Sequence, residues 1–75
     1  MDNYVLHIMV HGYNEFNEMR ACFTAEAPGL GEAFMSEEET IRDIKDSQAL
    51  CEELYVKVTL MNNNKVVYKH GYQLI

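Results

Sequence analysis

The histidines and cysteines are the residues of this chain that could bind a metal or react as nucleophiles. His7 and His11 are four residues apart in an alternating apolar segment, and on a β-strand that spacing separates them by about 13 Å. Side chains that far apart cannot share one ion. A site built from Cys22, Cys51, His11 and His70 would lack the short local spacing of zinc ligands. The sequence therefore predicts no metal and no cofactor.

Two cysteines, Cys22 and Cys51, are too few for a disulfide framework. The opening Met-Asp-Asn lacks the basic region of a signal peptide, and no apolar segment is long enough to span a bilayer. We expect a soluble cytoplasmic protein whose two thiols are reduced, buried and unreactive.

Catalytic groups are scarce. The two serines, Ser36 and Ser47, have no arrangement that suggests a base and an orienting group. Adjacent carboxylates such as Glu38 and Glu39 point to different sides of a helix and cannot act together on one bond. The sequence therefore predicts a protein that is not an enzyme.

A tripeptide recurs in the chain, as His11-Gly12-Tyr13 and His70-Gly71-Tyr72, each time after an apolar strand. The flanking sequences are not similar. We interpret both copies as the ends of strands, where glycine lets the chain turn.

Two alternating segments near the start predict a β-hairpin. The first, from Tyr4 to His11, places every second apolar residue on one face, and the second runs from Met19 to Thr24. The glycine-, asparagine- and glutamate-containing segment between them, Gly12 to Glu18, is typical of a turn.

The segment from Ala25 to Met35 contains Pro28, Gly29 and Gly31 and predicts a loop. The Pro-Gly-Leu-Gly run lacks the Lys-Ser or Lys-Thr of a nucleotide-binding loop. One interpretation is a flexible connection. The other is a protruding loop in which Leu30 and Phe34 anchor a protein partner.

Ser36 and Glu39 match a capping box, which predicts that a helix begins there. Its buried stripe would comprise Ile41, Ile44, Gln48, Cys51 and Leu54. Leu50 lies opposite that stripe, and its misfit predicts a bend or restart near Asp46-Ser47.

The segment from Leu54 to Met61 is the strongest predicted strand, and Asn62-Asn63-Asn64 is a turn that leads into a last strand from Lys65 to Lys69. The fold class is α+β, with order ββαββ. We expect one domain over residues 1–75, with a four-stranded, mainly antiparallel sheet and one helix on one face. The predicted core consists of Leu6, Ile8, Phe23, Ile41, Ile44, Val56, Val58 and Leu60.

The second face of this sheet has no helix to cover it. It should carry Val5, His7, Met9, Tyr55, Lys57 and Thr59, and its first strand is too apolar for a surface in contact with water. A second copy of the chain or a target protein are the usual partners for such a face.

The charge of the chain is unevenly distributed. The net charge is −6, and residues 15–53 hold eleven acids against three bases, whereas residues 54–75 hold three lysines and no acid. Phosphate backbones would be repelled, which argues against direct binding to nucleic acid. A basic protein surface would be attracted.

Small size, acidity, the one-helix ββαββ pattern and the lack of catalytic groups together resemble the small phage-encoded inhibitors of host defence, of the anti-CRISPR and anti-restriction type. The resemblance implies a non-catalytic inhibitor or adaptor in the host cytoplasm, whose carboxylates occupy a basic nucleic-acid channel of a target protein. The partner-binding residues would be Glu26, Glu32, Glu37, Glu38, Glu39, Asp43, Asp46, Glu52 and Glu53, with Leu30 and Phe34 as apolar anchors.

Two other functions stay open at this point. The chain could form a homodimeric structural or regulatory module through the second sheet face. It could also be a metal-binding or enzymatic domain, for which the sequence offers less support.

Overall fold

The computed structural model describes residues 3–48 and 51–75. Strands β1 (Tyr4–Tyr13) and β2 (Glu18–Ala27) precede one helix, α1 (Leu30–Ser47), and strands β3 (Glu53–Asn62) and β4 (Lys65–Gln73) follow it. The strands form one sheet in the order β2-β1-β3-β4, and every neighbouring pair is antiparallel. The predicted ββαββ fold, a four-stranded antiparallel sheet with one helix, is confirmed.

The two central strands carry the alternating apolar residues that hold the sheet against the helix. On β1, Leu6 lies between Ala25 of β2 and Leu60 of β3, and Ile8 lies between Phe23 and Val58. Because side chains alternate along a strand, this register places all of these residues on the same side of the sheet. That side faces α1.

Asparagines form both hairpin turns. In the first, the Asn14 side-chain oxygen accepts hydrogen bonds from the backbone N–H groups of Phe16 and Asn17, at 2.9 and 3.0 Å. In the second, Asn63 and Asn64 have φ angles of 53° and 63°. Two left-handed residues in succession are what a two-residue hairpin turn requires, and asparagine adopts that conformation more readily than most residues. The predicted turn is confirmed.

The helix begins earlier than the capping-box motif predicts. Gly29, in an extended conformation, is the N-cap, and its carbonyl accepts a hydrogen bond from the Ala33 N–H at 3.1 Å. The prediction of a loop up to Met35 is wrong, and Ser36 lies inside the helix. The earlier start buries Ala33 against the sheet, which outweighs the low helix propensity of Gly31.

The helix also ends before the last residues of its predicted buried stripe. Gln48 is the C-cap, with its N–H donating to the Ile44 carbonyl at 2.9 Å. Asp46-Ser47 is therefore the end of the helix and not a restart. Cys51 follows the helix and Leu54 belongs to β3, so neither belongs to a helical stripe. Leu50 lies outside the described residues.

The core lies between α1 and the sheet. Six of the eight predicted core residues are buried, and Ile41 is partly buried against them. Phe23 is 46% exposed, so its predicted burial is wrong. It faces the helix side, but β2 is an edge strand with a neighbour on one side only. The buried apolar residues are Leu6, Ile8, Val10, Ala27, Ala33, Ile44, Leu54, Val56, Val58 and Leu60.

The repeated His-Gly-Tyr tripeptides form the ends of their strands as predicted, since β1 ends at Tyr13 and β4 ends at Gln73, but the predicted turn at each glycine is wrong. Neither Gly12 nor Gly71 has a positive φ. Each is instead a point of close approach. A Cβ on Gly12 would lie 2.9 Å from a methyl carbon of the buried Leu54, and a Cβ on Gly71 would meet the Tyr55 hydroxyl.

The sheet has two different faces. The helix face packs against α1. The open face, on the other side, meets no other element among the described residues. By strand register the open face comprises Val5, His7, Met9, His11 and Tyr13 of β1; Glu18, Arg20, Cys22, Thr24 and Glu26 of β2; Glu53, Tyr55, Lys57, Thr59 and Met61 of β3; and Val66, Lys69, Gly71 and Gln73 of β4.

Replacing Val58 by alanine should destabilise the protein by about 2 kcal/mol, because Val58 is fully buried at the centre of the core and the substitution leaves a cavity. Urea unfolding followed by circular dichroism measures the difference. Val67→Ala is the matched control, since Val67 is 52% exposed and its truncation should change stability by less than about 0.5 kcal/mol. Equal effects of the two substitutions would contradict the core assignment.

Candidate protein-binding surfaces

The nine acids predicted to bind a partner do not form one surface. Five of them lie on the solvent side of α1: Glu32, Glu38, Glu39, Asp43 and Asp46. We call these five residues the acidic helix face. The other four lie elsewhere.

Glu37 cannot serve as a surface carboxylate, and its assignment to the partner-binding set is corrected. It is 5% exposed and lies on the sheet side of α1. The Tyr72 hydroxyl of β4 donates a hydrogen bond to its carboxylate at 3.1 Å. A buried carboxylate needs such a donor because it has lost contact with water. Glu37 therefore holds the helix to the edge strand.

Three more acids of the predicted set are exposed but distant from the acidic helix face. Glu26 pairs with Val5, and Glu53 pairs with Tyr13 at the other end of β1, and both lie on the open face. Glu52 precedes β3, and its N–H donates to the Tyr13 carbonyl. No single flat partner surface can contact these residues and the outer side of α1 at the same time.

Leu30 and Phe34 lie in the first turns of α1 and not on a protruding loop. Leu30 is 46% exposed. The Phe34 ring packs edge-to-face on Tyr68 of β4, with centroids 5.3 Å apart. Phe34 therefore belongs partly to the contact between the helix and the sheet.

An aromatic row continues along β4 on the helix face. His70 stacks on Tyr68 at a centroid distance of 6.1 Å, and it meets the Tyr72 ring edge-to-face at 4.3 Å. Burial, followed by hydrogen bonding to Tyr68 and Glu37, raises the pKa of the Tyr72 hydroxyl well above its ordinary value. Tyr72 therefore remains a hydrogen-bond donor to Glu37 at neutral pH.

The acidic helix face has a regular geometry. At about 100° per residue, Glu32, Glu39, Asp43 and Asp46 project within about 60° of one another along the helix. Among the described residues, no lysine, arginine or histidine nitrogen lies within 4.0 Å of their carboxylate oxygens; the ion pairs there are those of Glu18 with His11 and with Arg20. The row is therefore a set of carboxylates without ion-pair partners, on a side of the helix that also carries Arg42 and Lys45.

The open face carries exposed apolar side chains and is formally neutral in charge. Met9 is 58% exposed, Tyr55 is 49% exposed and Val66 is 50% exposed. Met9 and Tyr55, with Arg20, Cys22 and other neighbours, line an open groove of about 510 Å³. The charged residues of this face are three bases and three acids: Arg20, Lys57, Lys69, Glu18, Glu26 and Glu53.

The thiols and imidazoles do not converge on a metal site. Cys22 and His11 lie on the open face, whereas His70 lies on the helix face. Within the described part of the chain, no three His, Cys, Asp or Glu side chains are placed to hold an ion. Neither cysteine is disulfide-bonded, and Cys22 is exposed, so its predicted burial is wrong. Its side chain lies on the same face of β2 as the side chains of Arg20 and Thr24, which are also exposed.

Sequence reasoning missed the Glu37–Tyr72 contact and the aromatic row. The signal for the row was present as Tyr68, His70 and Tyr72, which recur at every second residue and so share one face of a strand. The signal for Glu37 was hidden, because its position on the buried side of the helix follows only from a helix that begins at Leu30.

Comparisons with known protein families, with curated proteins and with solved structures find no match to this chain. Within residues 3–48 and 51–75, no helix has the length and apolar character that crossing a membrane requires.

Replacing Tyr72 by phenylalanine should cost about 1–3 kcal/mol of stability, because it leaves the buried Glu37 carboxylate without its donor. Urea unfolding at neutral pH measures the loss. The matched control is Tyr4→Phe, because the hydroxyl of Tyr4 makes no hydrogen bond within the described residues, and its removal should cost less.

The pH dependence of stability provides a second measurement on the same contact. A pKa that is raised in the folded state contributes stability below the ordinary pKa of tyrosine, near 10, and loses it as the pH rises further. Stability should therefore fall above about pH 10, and it should fall less steeply in Tyr72→Phe. Identical alkaline profiles in the two proteins would contradict the assignment.

Proposed function

We propose that this protein is a non-catalytic protein-binding inhibitor or adaptor that uses the acidic helix face to bind a basic surface of a partner. The observation that carries the proposal is the segregation of charge. Five carboxylates without ion-pair partners stand on the outer side of one helix against two bases, Arg42 and Lys45, while the open face is formally neutral. Acids placed only to keep the protein in solution would not need to collect on one side.

The helix supports this function mechanically. Its 18 residues form a rod of about 27 Å, fixed to the sheet by Ile44 and Ala33 and by the Glu37–Tyr72 hydrogen bond. Carboxylates on a rigid element lose little backbone freedom when they bind. They can therefore replace phosphate groups in contacts with lysine and arginine side chains. The electrostatic field of the acidic helix face also increases the rate of association with a basic partner.

The partner class follows from the same geometry. A surface that normally binds nucleic acid carries lysines and arginines at the spacing of phosphates, and a row of fixed carboxylates along about 21 Å of helix, from Glu32 to Asp46, matches such a surface in sign and in length. Small inhibitors of host defence act on targets of this class, and this chain would act by occupying the nucleic-acid site.

A specific comparison tests the proposal. Glu39→Lys combined with Asp43→Lys reverses two charges of the acidic helix face, and Glu15→Lys combined with Glu52→Lys makes the same change in net charge at exposed positions away from the helix. Tagged proteins are used for affinity capture from a lysate of the cells in which the gene is naturally expressed. Captured proteins are identified by mass spectrometry.

The wild-type protein and the Glu15/Glu52 variant should capture the same nucleic-acid-binding protein, and the Glu39/Asp43 variant should bind it at least about tenfold more weakly. Heparin or a short DNA duplex should release the partner, and raising the ionic strength from about 0.1 to 1 M should weaken binding as the screening length falls from about 10 to 3 Å. If both variants bind alike, or if no captured protein depends on the helix acids, the proposal is wrong.

A further inference from the structure

We propose that the open face is the interface of a homodimer, in which two copies of this chain pack their sheets face to face. The inference is independent of the acidic helix face, because it concerns the other side of the molecule. Four observations carry it, namely the apolar side chains, the available area, the charge balance and the small size of the domain.

Two exposed apolar side chains of the open face lie on its central strands. Met9 lies on the central strand β1, and Tyr55 lies on the adjacent central strand β3; they are 58% and 49% exposed. The charged Glu26 and Glu53 lie in the end rows of the sheet, where they pair with Val5 and Tyr13. Lys57 pairs with Met9 on the same face, so the interior combines apolar area with one ammonium group. Aromatic and methionine side chains such as these are enriched at protein–protein interfaces.

The area is sufficient for a stable dimer. Strands of ten residues extend for about 33 Å, and four strands span about 19 Å, which gives about 600 Å² of sheet on each copy. Two such faces bury about 1,200 Å² together, which is at the lower limit for specific, stable interfaces. Face-to-face packing of two sheets at about 10 Å separation is a common arrangement.

The charge balance identifies the occupant. Two molecules of net charge −6 repel each other over most of their surfaces, but the open face has three bases and three acids, and two copies meet there without net repulsion. The two helices would then lie on the outer sides of the dimer, roughly 30 Å apart across two sheets, and salt screens charges at that distance. A nucleic acid or an anionic lipid surface would require a basic face, and a strongly basic protein would require an acidic one.

The size of the domain gives a reason for association. A chain of 75 residues buries only about 60–65% of the surface that its unfolded form exposes, so a second apolar face is a large part of the stabilisation available to it. In the dimer each sheet has a helix on one side and the partner sheet on the other. The exposed apolar side chains in the interior of the open face, Met9 and Tyr55, are then removed from water.

Sedimentation velocity over a range of protein concentrations tests the inference with a matched pair of variants. Met9→Lys places a second ammonium group in the centre of the open face, opposite Lys57. Met35→Lys makes the same substitution at a methionine that is 62% exposed on the outer side of α1. Circular dichroism spectra confirm that each variant retains the fold. A third variant, Cys22→Arg, alters another exposed side chain of the open face and replaces Met9→Lys if that variant does not fold.

The wild-type protein and Met35→Lys should sediment as dimers at micromolar concentration with the same dissociation constant. Met9→Lys and Cys22→Arg should raise that constant at least about tenfold, because each buries an unpaired charge. A wild-type protein that remains monomeric up to about millimolar concentration overturns the inference. So does a dimer that both open-face variants leave unchanged, because such a dimer would use another surface.

Discussion

One helix can cover only one side of a four-stranded sheet, and this limit organises the whole molecule. The apolar residues of β1 and β3 that alternate toward α1, such as Ile8 and Val58, are buried almost completely. Those that alternate toward the other side, such as Met9 and Tyr55, remain about half exposed. The same period of two residues that builds the core therefore also builds an apolar surface outside it.

The two sides of the molecule favour two different kinds of interaction. The acidic helix face provides a field that acts at a distance and weakens with salt, and the open face provides apolar contact that salt does not weaken. In a homodimer, both acidic helix faces remain exposed on the outside. Each dimer would then present two binding surfaces to a basic partner, and two linked surfaces can bind more tightly than one without any new contact.

Much of the fold could be predicted from the sequence, because its signals are local. Alternation on β1 and β3 predicts the burial of Leu6, Ile8, Val56, Val58 and Leu60, although the predicted core lacks Val10 and Leu54. The asparagines at 63 and 64 predict the second turn. The predicted start of the helix is wrong because Pro28 and Gly31 locally disfavour a helix. The burial of Ala33 and the packing of Phe34 on Tyr68 stabilise the earlier start, and these tertiary contacts are not visible in the local sequence. The alternation on β2 correctly places Phe23 on the side of the sheet that faces α1. Its exposure depends on the position of β2 at the edge of the sheet, which the alternation does not predict.

The candidate surfaces were predictable only in part. Net charge and its distribution predicted an acidic side, and alternation predicted an uncovered face. The sequence could not show that Glu37 faces the sheet, or that Glu26 and Glu53 lie on the opposite side from the helix acids, because both facts follow from strand register and from the first residue of the helix. Spatial separation of the acids, which decides what one partner can contact, is a property of the fold.

In the proposed homodimer the open face is removed from water, and the accessibility of Cys22 reports on that face. Cys22 is an exposed thiol on that face, and a Cys51→Ser background leaves it as the one thiol of the chain. The measurement is the rate of maleimide labelling of the purified protein as its concentration increases from nanomolar to high micromolar. Labelling should slow as the dimer forms, and Met9→Lys should restore the fast rate. A labelling rate that stays fast and independent of concentration would contradict the homodimer.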